Sequence, residues 1–157
     1  MNLFQWLYDR GISTSVRESY TIFPALECIH IYSMIVLISV VAALDLRLLG
    51  VRFGSHPVPL PRFLKLVIRC MTVCIAVNFV TGSFLFVSKA PDYYVNDAFR
   101  IKMLLILGAI VYHSVLFAKI SKWDSPIAMS VQHKLAGGIS LLVWIGVIAA
   151  SRWIAFT

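Results

Sequence analysis

Acidic residues are scarce in this chain: seven Asp and Glu stand against fourteen Lys and Arg among 157 residues. The formal net charge is therefore +7, yet charged residues of both signs make up only 13% of the chain. A nucleic-acid partner is excluded as the reason for that excess, because the basic residues sit at the ends of apolar runs, where they mark membrane topology. Cysteine is nearly absent. Cys28, Cys70 and Cys74 all fall inside apolar runs and read as small packing residues. Cys70 and Cys74 are one helical turn apart on one helix, a poor geometry for a disulfide. Gly/Ser linkers, repeats and low-complexity stretches are missing. The N-terminus lacks the basic region, short apolar core and small-residue site of a cleavable signal peptide. Neither H-E-x-x-H nor G-x-S-x-G occurs, so hydrolysis has no support.

What the chain has is apolar surface. Sixty per cent of its residues are hydrophobic and the mean hydropathy is +0.86. A soluble domain of this length would leave sticky patches exposed. The length suits one domain, residues 1–157. Four runs reach the ~20 residues that a helix needs to cross a bilayer. They cover about residues 25–49, 63–88, 100–120 and 133–155. Pro24 suits a first helical turn and Gly50 a helix stop. Gly54, Pro57, Pro59 and Pro61 make the first link irregular, residues 89–99 form a polar second link, and Trp123, Asp124 and Pro126 mark the third. Residues 2–8, with Phe4, Trp6 and Tyr8, read as a short interfacial helix. Ser15 and Glu18 fit a capping box that would start a second short helix. The predicted fold is all-α: an integral membrane four-helix bundle with a short interfacial N-terminal segment.

Basic residues orient the bundle. Arg47, Arg52, Arg62, Lys65, Arg69, Lys119, Lys122 and Lys134 fall on one side; Arg10, Arg17, Lys89, Arg100, Lys102 and Arg152 fall on the other. The modest excess on the first side places it in the cytoplasm and both termini outside.

Helical spacing resolves each span into faces. Glu27, His30, Met34, Ile38, Val41 and Asp45 form one stripe on the first span; Cys70, Cys74, Asn78 and Thr81 form one on the second. Lys102, Ile106, Ala109 and His113 align on the third, and Lys134, Gly138, Leu141, Ile145, Ile148 and Arg152 on the fourth. One polar-bearing stripe per helix suits a bundle with an inward polar seam. Counting depth from the span ends puts Glu27, His30, Lys102 and Arg152 in the same outer leaflet. Ionisable groups inside a bilayer are expensive and mark function by default, so this cluster is the candidate site, with pairing between Glu27 and the cations lowering the cost of burial. His113 lies about 16 Å deeper than Lys102 at 1.5 Å per residue.

Four chemistries fit such a cluster. Haem b sits between helices on axial histidines, but His30 and His113 differ in depth by roughly 14 Å, so one haem would take His30 with another ligand such as Met34 or Met103. Cys28, His30, Met34 and Met103 are soft enough for copper, though Cys28 and His30 point in different directions. A quinone would accept hydrogen bonds from His30 and a cation, with Tyr20, Tyr32 or Trp153 as lining or as an interfacial belt. A proton path would need His113 as a stepping stone between His30 and Asp45. The plain alternative for His30 is a buried histidine bonded to Glu27 or Arg152. Gly137, Gly138, Ser140, Gly146 and Ala150 suit close helix contact, within the bundle or with a partner subunit.

Several strings occur together: Glu27-Cys28-Ile29-His30, Asp45-Leu46-Arg47-Leu48-Leu49-Gly50, Thr81-Gly82-Ser83-Phe84-Leu85-Phe86, Tyr94 to Lys102, Trp144, and Ser151 to Phe156. In this order the chain resembles, over nearly its whole length, a family of small bacterial four-helix inner-membrane proteins of unknown function. The resemblance implies a fold and a location, in the bacterial cytoplasmic membrane, and no activity. Its recurrent polar positions correspond to Glu27, His30, Asp45, Arg47, Asn96, Lys102 and Arg152. It also implies a distant similarity to copper-resistance and haem-pathway membrane proteins, which favours a redox role. His113 falls in none of these strings, which argues against a ligand role for it.

The expected function is a small redox-associated membrane protein of electron transport that binds haem b or quinone at the outer cluster. There His30 is the ligand or proton-coupled group, Glu27 orients it, and Lys102 and Arg152 hold propionate, carboxylate or quinone oxygens. A metal, if held, would sit on His30. The alternative is a non-enzymatic accessory subunit whose polar cluster is an ion-pair network. Expected partners are the lipid bilayer and a larger membrane complex or further copies of the chain.

Overall fold

The computed structural model describes residues 8, 11–51, 54, 58–120 and 131–153. Among these there is no strand. Six helices follow one another: α1 (Gly11–Glu18), α2 (Ile22–Leu48), α3 (Leu60–Ser88), α4 (Ala90–Val95), α5 (Asp97–Ile120) and α6 (Val131–Trp153). Four of them, α2, α3, α5 and α6, are long and apolar enough to cross a membrane, so the chain is a multi-pass membrane protein.

Each long helix starts two or three residues before its apolar run. Pro61 sits in the first turn of α3, where its missing N–H is no loss. Asn96 precedes α5, and its Oδ1 accepts the N–H of Phe99 at 3.1 Å, satisfying one of the free donors of the first turn. Ser19 does the same for α2, accepting the N–H of Ile22 at 3.1 Å. At the other end of α2, Gly50 takes φ +99°. The N–H of Gly50 bonds Arg47 O at 3.1 Å and that of Val51 bonds Leu46 O at 3.0 Å, a Schellman stop of the kind a glycine permits.

Two local expectations change. Ser15 lies inside α1 rather than ahead of it, so it caps nothing; the helix has already begun at Gly11. Residues 90–95, part of the expected polar link, form α4. Its Tyr93 joins Phe86 of α3 and Phe99 of α5 in a three-ring cluster, with their centroids 6.5 and 5.1 Å away and 5.6 Å from each other, and this aromatic contact steadies one turn of helix that its sequence alone would not. The interfacial helix expected at residues 2–8 lies outside the described residues except for Tyr8, whose ring sits 4.0 Å under the Arg17 guanidinium.

Close packing joins α2 to α3, α2 to α6 and α5 to α6, while α1 lies against α2 and α3. The long helices therefore follow the packing order α3, α2, α6, α5, with no close packing of α3 on α5 among the described residues. Ser13 of α1 donates to Val87 O at the end of α3, at 3.0 Å. This marks one pole of the bundle, the α1 pole, where α2 and α5 begin and α3 and α6 end. Leu37, Val41, Leu44, Leu48, Leu64, Val67, Met71, Ala109, Leu116, Trp144 and Val147 form the core. Outward positions such as Ile35, Leu66, Phe79, Leu104, Leu107, Leu135 and Leu142 are exposed. They are as apolar as the core, as a lipid-facing surface requires.

Candidate functional site

Polar side chains inside the bundle gather in two places. The first, near the α1 pole, contains the residues expected from the sequence. His30 comes one turn and a half into the apolar part of α2 and is half-buried against α3. Its Nδ1 lies 2.9 Å from Thr81 Oγ1. The Thr81 hydroxyl donates to Val77 O at 2.8 Å, so its oxygen is left to accept, and His30 Nδ1–H is the donor. In the neutral ring this leaves Nε2 as the unprotonated nitrogen. Gly82 makes room for the imidazole: a Cβ there would lie 3.2 Å from His30 Cε1. One turn further along the same seam, Asn78 Nδ2 donates to Ser33 Oγ at 2.9 Å and to Cys74 O at 2.8 Å, and Ser33 Oγ donates to Cys74 O at 3.2 Å. Asn78 Oδ1 is buried with no partner among the described residues.

Lys102 is partly buried in the second turn of α5, at the same pole. The other two members of the expected cluster stand apart. Glu27 and Arg152 are both exposed, and no ion pair joins Glu27, Lys102 or Arg152 among the described residues. His30 is anchored by Thr81 rather than by Glu27 or Arg152. Cys28 is exposed, as are Tyr20, Tyr32 and Trp153, which places these aromatic rings on the surface instead of around His30. No group of three or more His, Cys, Asp or Glu is arranged to hold a metal ion among the described residues.

The second place is buried toward the opposite pole and was not recognised from the sequence as a unit. Asp45 of α2, Ser140 of α6 and His113 of α5 are each at most 1% exposed. Ser140 Oγ lies 2.6 Å from Asp45 Oδ2 and 3.1 Å from His113 Nε2. His113 Nδ1 lies 2.8 Å from Ala109 O on its own helix. Both ring nitrogens are thus engaged, which leaves none for haem iron. Tyr112, Phe117 and Trp144 surround the imidazole, with ring centroids 5.6, 5.7 and 6.1 Å away. Asp45 Oδ1 and Trp144 Nε1 are buried without partners among the described residues.

Gly137 builds this second cluster. A Cβ there would stand 2.7 Å from Asp45 O and 3.1 Å from Leu48 Cβ, so only glycine lets α6 approach α2 this closely. Tyr112 OH, donating to Ala136 O at 2.8 Å, ties α5 to the same turn of α6. The small residues of α6 thus serve the bundle itself at this turn. The face of α6 that turns inward is Gly137, Ser140, Trp144 and Val147, one step round from the stripe through Lys134, Gly138 and Ile145 that spacing suggested. The available signal was the pairing of an intramembrane Asp with a deep His and a Ser on three different helices.

No curated protein and no solved structure matches the chain. A family profile does match, and it covers residues 11–157, which hold all six helices and both polar clusters. The chain belongs to that family, a family of unknown function designated DUF6644.

Proposed function

We propose that this protein is a small redox-associated membrane protein that binds a quinone at the α1-pole cluster, with His30 and Lys102 as its polar contacts. One observation carries the reading: Thr81 accepts a hydrogen bond from His30 Nδ1–H, which orients the ring and reserves Nε2 as an acceptor, while Lys102 is partly buried at the same pole. A quinol hydroxyl would donate to Nε2, and the Lys102 ammonium would donate to the second oxygen or hold its anion. A half-buried pair with one acceptor and one cationic donor suits a carrier that gains or loses protons with its electrons. Close packing of α3 on α5 is missing among the described residues, and that is the side from which a lipid-soluble carrier would arrive.

Haem b is the second reading, favoured by the same anchor. A histidine that ligates iron through Nε2 is held by a hydrogen bond from Nδ1, which the Thr81 contact supplies, and Lys102 would pair with a propionate. In either case the cluster lies in the outer half of a bacterial cytoplasmic membrane, with both termini periplasmic. Glu27 and Arg152, exposed at the same pole, would act at the entrance.

The test is the protein purified in native lipid, extracted for quinone and scanned for a Soret band. Near-stoichiometric quinone in the wild type, lost in His30→Ala and reduced in Lys102→Met, is the expected result. Wild-type protein with neither quinone nor a Soret band refutes both readings and leaves the accessory-subunit role, which predicts co-purification with a larger complex. A C-terminal reporter fusion found in the cytoplasm would invert the orientation.

A further inference from the structure

The buried cluster of Asp45, Ser140 and His113 plays no part in that reading. Its hydrogen bonds constrain its protons tightly. Ala109 O can only accept, so His113 Nδ1 at 2.8 Å carries a proton. Ser140 has one hydroxyl proton and faces two groups, Asp45 Oδ2 at 2.6 Å and His113 Nε2 at 3.1 Å. If that proton points to Asp45, the contact with His113 is a hydrogen bond only when Nε2 also carries a proton. If it points to His113, the contact with Asp45 is a hydrogen bond only when Oδ2 carries a proton. A carboxylate with a neutral imidazole leaves one contact without a proton between its atoms. A carboxylic acid with an imidazolium uses both lone pairs of Ser140 Oγ, leaves the serine's own proton with no acceptor in the row and puts a net charge in the core. Two arrangements satisfy all three groups, and each holds one shared proton with zero net charge, the condition that a bilayer interior favours.

We infer that Asp45, Ser140 and His113 form an intramembrane proton-binding site that holds one proton and passes it between α2 and α5 through the serine of α6. In the neutral arrangement Asp45 Oδ2–H donates to Ser140 Oγ, which donates to His113 Nε2. Transfer breaks the Asp45 O–H bond and forms a new O–H bond on Ser140 with that proton. In the same movement the original Ser140 proton leaves for His113 Nε2. The product is an Asp45 carboxylate and a His113 imidazolium joined by a serine that donates the other way. Atoms and charge balance without any further reagent. The unpartnered Asp45 Oδ1 is the remaining acceptor of the carboxylate, and it is the atom through which a proton would enter or leave the row.

Neighbouring titratable groups do not replace either partner. On α5, the Tyr112 hydroxyl is engaged with Ala136 O. On α2, Arg47 turns to Val58 O and to the Phe63 ring, 4.7 Å away. On α6, Lys134 is exposed and His133, which has its own interaction, lies seven residues toward the helix start, or about 10 Å away along the axis. On α3, Lys65 and Arg69 are exposed, and that helix adds Leu64, Val67, Met71 and Cys74 to the core.

The site stands whether or not the α1-pole cluster binds a quinone, since the two share no residue. It is tested on the full chain in lipid nanodiscs with ¹⁵N-labelled histidine and ¹³C-labelled aspartate carboxyl, observed by solid-state NMR. The expected wild-type spectrum pairs a neutral His113 carrying its proton on Nδ1 with a protonated Asp45, or an imidazolium with a carboxylate. Raising or lowering pH moves both signals together. A neutral His113 beside an Asp45 carboxylate, or two groups that titrate separately, overturns the inference. Asp45→Asn is the second arm: it removes the exchangeable proton and locks His113 in one neutral form between about pH 5 and 8. An Asp45→Asn chain whose His113 still becomes an imidazolium in that range also overturns it. The wild-type measurement decides the matter if the variant does not fold.

Discussion

Gly137→Ala and Gly138→Ala differ by one position and should act in opposite directions on stability. At Gly137 the added Cβ would come within 2.7 Å of Asp45 O, a backbone atom that cannot swing aside, and within 3.1 Å of Leu48 Cβ. Ordinary contact begins near 3.4 Å, so α6 and α2 must part by about 0.7 Å along that line. Overpacking of this kind costs roughly 1–3 kcal/mol. Alanine's better helix propensity recovers at most about 1 kcal/mol, leaving a net loss of up to about 3 kcal/mol. A parting of that size would also carry the 2.6 Å Ser140–Asp45 contact to the limit of hydrogen bonding. At Gly138 a Cβ meets nothing within 4 Å, so the propensity gain stands alone and the variant should match or exceed the wild type by up to about 1 kcal/mol. Steric-trapping unfolding in bicelles measures both. Equal stabilities for the two variants would refute the reasoning, since it rests on contact geometry and not on glycine content.

Ser140→Ala should cost about 1–3 kcal/mol in the same assay, because it leaves Asp45 Oδ2 and His113 Nε2 buried without their common partner. Thr81→Val keeps the side chain's shape but removes the acceptor of His30 Nδ1–H; quinone affinity should fall up to roughly tenfold, the worth of one hydrogen bond, as read by a titration with a soluble quinone analogue. Asn96→Ala removes the cap on Phe99 N–H and should cost about 1 kcal/mol, with hydrogen exchange rising in the first turn of α5 and not elsewhere. Ser13→Ala should release α1 from Val87 O, costing about 0.5–1.5 kcal/mol and speeding proteolysis within Gly11–Glu18 alone.

Most of the architecture was legible from length and hydropathy. The faces of three spans were legible too, because each has polar residues that only an interior tolerates: His30 and Asp45 on α2, Asn78 and Thr81 on α3, His113 on α5. The face of α6 was not. Its outward residues Leu135, Ile139, Leu142 and Ile145 are larger and more apolar than the buried Gly137 and Ser140, so the usual rule runs backwards in lipid, where close packing selects small residues. Lys134 and Arg152 misled for a related reason. They sit near the helix ends and are exposed, where long side chains reach the interface from any face. The union of Asp45 with His113 was hidden by counting depth from span ends. Asp45 is three residues from the end of α2, and His113 is seven from the end of α5. The ends are not level with one another, and no sequence pattern records that offset.

The packing order α3, α2, α6, α5 has a consequence for biogenesis. Each half of the chain is a helical hairpin of near neighbours in sequence, and such local pairs form early. The α2–α6 seam joins the halves and can close only after the last helix has entered the bilayer. Until then Asp45 has neither Ser140 nor His113, and an unpartnered acid in hydrocarbon is costly, by up to about 2.5–3.5 kcal/mol at the bilayer centre. The half-built protein therefore carries a mark of its incompleteness, one that a membrane quality-control protease could read and that docking erases.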